Sequence, residues 1–170
     1  MTLPAVADGQ HAIVIVHETA FVSCAMLPRL ATRITQRSVG LGRLGHSRAE
    51  YERAYWPLSR VDRIERSLSV LGFGRAEVSV YMRSGKGLAL STAGREYRTR
   101  EAVGPCSSFS DLRRAYGKRL RLVLAHRLVR LYTVGDVVFR VAGGRVGSVT
   151  VGKGALARQV AGNSIDCGAR

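Results

Sequence analysis

Ser47-Arg-Ala-Glu-Tyr-Glu-Arg-Ala-Tyr55 and Ser108-Phe-Ser-Asp-Leu-Arg-Arg-Ala-Tyr116 are the two stretches on which the fold reading turns. Each opens on a serine with an acid three residues later, Glu50 or Asp111, the pattern of a helix N-cap; in the first it is a full capping box. Apolar residues then fall at i, i+3 and i+4: Tyr51, Ala54 and Tyr55, and Leu112, Ala115 and Tyr116. That stripe predicts two short helices packed on a sheet, with Arg48, Glu52, Arg113 and Arg114 facing water. Pro57 stops the first helix and Gly117 the second.

Outward from the helices the pattern changes to strands. Val78, Val80 and Met82 alternate with Ser79, Tyr81 and Arg83, a half-buried strand. Ser84-Gly85 turns the chain and Leu88 to Thr92 returns beside it. Leu128 to Val134, Val137 to Ala142 and Val146 to Val151 read as three more strands, joined at Gly135-Asp136 and Gly143-Gly144. Four matching segments recur in one order, at offsets of 64, 61, 59 and 59 residues: Thr35 to Gly40 with Thr99 to Gly104, the two helices, Val78 to Met82 with Val137 to Val141, and Gly85-Lys86 with Gly144-Arg145. The expected fold class is therefore α+β, with two repeated units, each a short helix followed by an antiparallel meander of about three strands. Residues 1–34 form an N-terminal segment, 35–98 the first unit, 99–152 the second, and 153–170 a small, polar C-terminal tail.

Gly45-His-Ser-Arg-Ala-Glu-Tyr-Glu-Arg-Ala-Tyr55 and its second copy resemble the Gly-Met-Thr/Ser helix start of tandem helix-plus-meander proteins. These are the β-lactamase inhibitory protein family and the related small lipoproteins of outer-membrane barrel assembly. The likeness spans about residues 35–152 in pattern. It implies a secreted, non-catalytic module whose exposed sheet and hairpin tips contact another macromolecule. His46 stands where that family has Met, and Trp56-Pro57 where Gly-x-Pro is common. The turn Ser84-Gly85-Lys86 is basic where the inhibitor carries acids, so inhibition of a β-lactamase does not carry over.

The 170-residue chain carries 27 basic and 12 acidic residues, a net charge of +15. Only Lys86, Lys118 and Lys153 are lysines; the other basic residues are arginines, scattered without a long block. Two readings stand: an arginine bias of a GC-rich genome, or attraction to an anionic partner such as nucleic acid or a cell-wall polymer. The residues for such contacts are Arg83 and Lys86 at the hairpin, and Arg113, Arg114, Lys118, Arg119 and Arg121, the densest basic run. Aromatic residues make up 6%, and no aromatic ladder accompanies the arginines, so the stacking platform of single-strand binders is missing.

The three cysteines, Cys24, Cys106 and Cys167, fit no metal-ligand spacing. In an exported protein, Cys106 and Cys167 are the preferred disulfide pair. The apolar run His11 to Leu27 is broken by His17 and Glu18, too short and too interrupted for a membrane span. No Lys or Arg precedes Arg29, so it makes a poor signal peptide; Phe21-Val22-Ser23-Cys24 faintly resembles a lipoprotein cleavage box. A buried strand at Ala12 to Val16 is the alternative, and Met26 is an alternative start.

None of the four histidines is spaced to share a metal, and no P-loop, dinucleotide fingerprint, nucleophile elbow or zincin motif occurs. No catalytic, cofactor-binding or metal-binding residue is assigned. A Cys106 thiolate at a helix start, approached by His46, is the one nucleophilic alternative. The expected function is a non-catalytic interaction module, secreted or at the envelope, with an unidentified protein partner. The alternative is a basic binder of an anionic polymer, with a cytoplasmic location open; no small-molecule substrate and no integral membrane span are expected.

Overall fold

Residues 32–65, 67–126, 128–164 and 166–167 are described by the computed structural model. Cys24 and the expected strand at Ala12 to Val16 lie outside them. Helix α1 (Arg48–Tyr55) and helix α2 (Phe109–Tyr116) begin where the capping serines stand. The Glu50 carboxylate accepts from both the Ser47 N–H and the Ser47 hydroxyl, each at 2.7 Å. At α2 the Ser108 hydroxyl accepts from the Asp111 N–H at 3.0 Å and donates to its carboxylate at 2.6 Å. Gly117, at φ +48°, ends α2 in a conformation that favours glycine, and a 3-10 turn, Gly117–Arg119, follows.

The strands correct the expected architecture. β1 (Ser38–Val39) and β2 (Gly42–Arg43) form a two-stranded sheet before α1. Eight more, β3 (Arg60–Arg63), β4 (Leu68–Phe73), β5 (Val78–Arg83), β6 (Lys86–Thr92), β7 (Arg121–His126), β8 (Val129–Val134), β9 (Val137–Ala142) and β10 (Arg145–Gly152), join one antiparallel sheet. Its order is β3-β4-β5-β6-β10-β9-β8-β7. The chain is thus a mixed, mostly β fold with three short helices among the described residues, not two repeated units of a helix and about three strands. The physical reason lies at the seam. The outer edges of β6 and β10 carry backbone groups that need partners, and they find each other through Val149 opposite Thr92 and Val151 opposite Leu90.

One face of the sheet carries the core. Val78, Val80, Met82, Leu90, Phe139, Val149 and Val151 are buried there under α1 and α2. The Tyr55 ring meets Phe73 at 5.3 Å between centroids and Tyr116 meets Phe139 at 5.5 Å. Burial raises the pKa of both phenols, to about 12 for Tyr116. The Tyr55 hydroxyl donates to the Val39 carbonyl and that of Tyr51 to the Arg43 carbonyl, which ties the small sheet to α1.

Part of the opposite face is covered by a third helix, α3 (Gly154–Gly162), within the segment expected to be a tail. Its Ala157 and Ala161 are buried against Leu131 and Val138. Their small side chains let the helix lie close on β8 and β9. Among the described residues, no helix or strand covers the same face beyond α3 toward β3.

Candidate functional site

Antiparallel register decides what the open face presents. Side chains alternate across a strand, so the valines that build the core send Ser79 and Tyr81 of β5, Ser91 of β6, and Ser148 and Thr150 of β10 to the other side. A cavity of about 930 Å³ lies over this floor. Its rim holds charges of both signs, Arg60 and Arg95 against Glu77 and Glu96. Residues Asn163, Ser164 and Asp166, just past α3, form its wall.

The wall is tied to the floor by a directed chain of hydroxyls. Thr150 donates to Ser91 at 3.0 Å, Ser91 meets Ser164 at 2.8 Å, and Ser164 donates to the Val160 carbonyl at 2.8 Å. Asp166 forms an ion pair with Arg140 of β9, whose pKa is lowered by burial. Gly147 makes room for that pair, since a Cβ there would sit 2.8 Å from the Asp166 carboxyl carbon. Ser148 differs from its neighbours. It is 1% exposed, lines the cavity, and its hydroxyl has no hydrogen-bond partner among the described residues. A buried hydroxyl in that condition is costly and gains from a partner.

Cys106 and Cys167 form a disulfide, with Cα atoms 5.6 Å apart. Both half-cystines also hang from adjacent carbonyls of β10: Cys106 N–H donates to Val146 and Cys167 N–H to Gly147, each at 2.7 Å. The segment walling the cavity is therefore anchored covalently and through backbone. The nucleophile expected as an alternative is absent from this state, because the Cys106 sulfur is bonded. His46 Nδ1 instead accepts from the Arg43 N–H at 3.4 Å, with its ring against Tyr51. Among the described residues no three His, Cys, Asp or Glu side chains converge as metal ligands.

The basic residues singled out in the sequence fall in two places. Arg83 and Lys86 face each other across the β5–β6 turn, and Arg83 lies 3.9 Å from Glu65. Arg113, Arg114, Lys118, Arg119 and Arg121 run together along α2, the 3-10 turn and the start of β7. Arg113 covers the Phe109 ring, Arg114 pairs with Asp111 at 3.1 Å, and Arg119 lies 3.8 Å from Glu101 and over the Tyr116 ring. Strands β10, β9 and β8 separate the two groups in the sheet. Sequence reasoning missed the cavity side chains, since Ser79 reads as a polar position of a half-buried strand and Ser91 as one residue of its hairpin partner. It also missed Trp56, which is exposed beside Arg53 at the end of α1.

No family model matches the chain and no curated protein is similar to it. A solved structure, an extracellular protein containing a SCP domain from Bacillus anthracis str. Ames, is similar at 11% identity and a TM-score of 0.45. The match covers 63% of this chain and 43% of that one, so the chain spans less than half of that protein's length. A likeness at this level carries no inference about fold or activity.

Proposed function

We propose that the protein is a non-catalytic binding module of an oxidising, extracytoplasmic compartment, and that its partner seats on the open polar face of the sheet. The observation that carries this reading is the cavity walled by a disulfide-anchored segment, with the unpartnered Ser148 hydroxyl in it. Disulfides persist where thiols are not kept reduced, which supports export. The helix-start resemblance to the β-lactamase inhibitory protein family supports a macromolecular partner. No helix among the described residues is long and apolar enough to cross a membrane.

A photo-reactive benzoylphenylalanine at Ser79, in the native host, tests the reading alongside intact mass with and without reduction. The expected result is a discrete cross-linked species, lost when Ser148→Trp fills the cavity and absent when the probe replaces the exposed Leu41. Cys106 and Cys167 resist alkylation until reduced. Equal cross-linking at both positions, or free thiols in native extracts, would sink it.

A second reading, an anionic-polymer binder, is favoured by one observation: Lys118 and Arg121 are exposed and make no ion pair among the described residues. Nucleic-acid affinity that falls steeply across a salt series would replace the first reading with this one.

A further inference from the structure

The two edges of the large sheet are built differently. β3, at one edge, has four residues, of which Arg60, Asp62 and Arg63 are charged, a composition that discourages strand accretion. β7, at the other, has six residues, Arg121-Leu-Val-Leu-Ala-His126, all exposed. Leu122 is 53% and Leu124 47% exposed, and Leu128 at the following turn is 84% exposed. Among the described residues nothing pairs with the outer edge of β7, so its outward N–H and C=O groups form a ready template.

Charge says what kind of strand fits. From Leu112 to Gly135 the chain holds seven arginines and lysines and no acid. Register spreads them over both faces of the edge. Leu124 and Arg121 lie opposite Leu131 and Thr133 of β8, on one face. Leu122 lies opposite Tyr132, on the face that Arg130 shares. The shift at Val123 divides the apolar side chains between the two faces, so they make no single patch for a lipid surface. A second copy of the chain would bring like charge against like charge, and Tyr116 and Tyr132 are buried and offer bases no platform.

We infer that β7 is a strand-addition site for an extended, acidic segment of a partner protein. The segment's backbone pairs with β7 while its carboxylates meet Arg121, Arg130 and Lys118 and its apolar side chains cover Leu122 and Leu124. This edge lies across the sheet from the cavity, so the two surfaces stand or fall separately.

The probe is a labelled peptide of about ten residues, the upper end of strand lengths, in Glu-Glu-Val-Val repeats, which put carboxylates and apolar side chains on each of its faces. It is titrated by fluorescence anisotropy into the intact, disulfide-bonded protein at physiological salt. Methylating the backbone nitrogens of its central residues blocks both edges without changing charge, and the affinity should drop at least about tenfold. Leu124→Lys should also weaken binding although it adds a positive charge. No binding, a methylated peptide that binds within about twofold of the parent, tighter binding by Leu124→Lys, or a protein already dimeric through β7 would each overturn the proposal. The peptide comparison needs no variant protein, so misfolding of Leu124→Lys leaves the test intact.

Discussion

At Glu50 the folded chain holds a carboxylate below its ordinary pKa, first through the Ser47 N–H, then through the Ser47 hydroxyl. A depressed folded pKa contributes stability that is present above the ordinary carboxylate value and lost as pH falls through the folded one. Glu50→Gln should therefore lower Tm at neutral pH, and the gap to the parent should close as pH drops below the carboxylate range. Thermal melts across pH 2 to 7 check this, and a gap that stays constant would show that the carboxylate's charge is irrelevant. This contact was legible in the sequence because capping is local: Ser47 and Glu50 are three residues apart. The Ser148 hydroxyl was not legible. Its burial depends on β6, β9 and the C-terminal segment, all distant along the chain except β9.

Element by element, legibility followed local regularity. β5 is legible from clean alternation, and β9 from the match of Val137, Phe139 and Val141 to Val78, Val80 and Met82. β4 is hidden in the sequence because Leu68, Val70, Leu71 and Phe73 are buried on both faces, which erases the period of two. β7 escaped because the register shift at Val123 breaks its alternation. α3 is not legible as a helix in the sequence: its glycines and alanines are too small to announce a face, although Ala157, Val160 and Ala161 keep the helical spacing. What holds α3 and the cavity wall is the Cys106–Cys167 bridge, which spans 61 residues of chain. A cross-link closing a loop of that size contributes about 4 kcal/mol in the chain-entropy account. Cys167→Ser should lose a figure of that order in urea unfolding, and hydrogen exchange at 163–167 should accelerate. Unchanged exchange there would mean that Asp166–Arg140 and Ser164–Ser91 suffice to hold the wall.

Across the whole molecule, the β6–β10 seam makes one sheet of strands from both halves of the chain. Val151, fully buried at that seam, should cost about 2 kcal/mol when replaced by alanine. The loss should register equally on Trp56 fluorescence, near α1, and on far-UV circular dichroism of the entire sheet. Two separated transitions would mean that the halves unfold independently. By itself, the sequence determined where helices α1 and α2 begin and end and which hairpins turn at glycine; for the cysteines it offered Cys106–Cys167 only as the preferred pair of an exported protein, and the structure supplied the bridge. The first two rest on capping and turn geometry, which are local. Only the tertiary structure decided that the strands fuse into one sheet, that α3 covers part of one face, and that polar positions from β5, β6 and β10 meet over a cavity. Backbone pairing between β6 and β10 joins segments about sixty residues apart, and no periodicity within either segment records its partner.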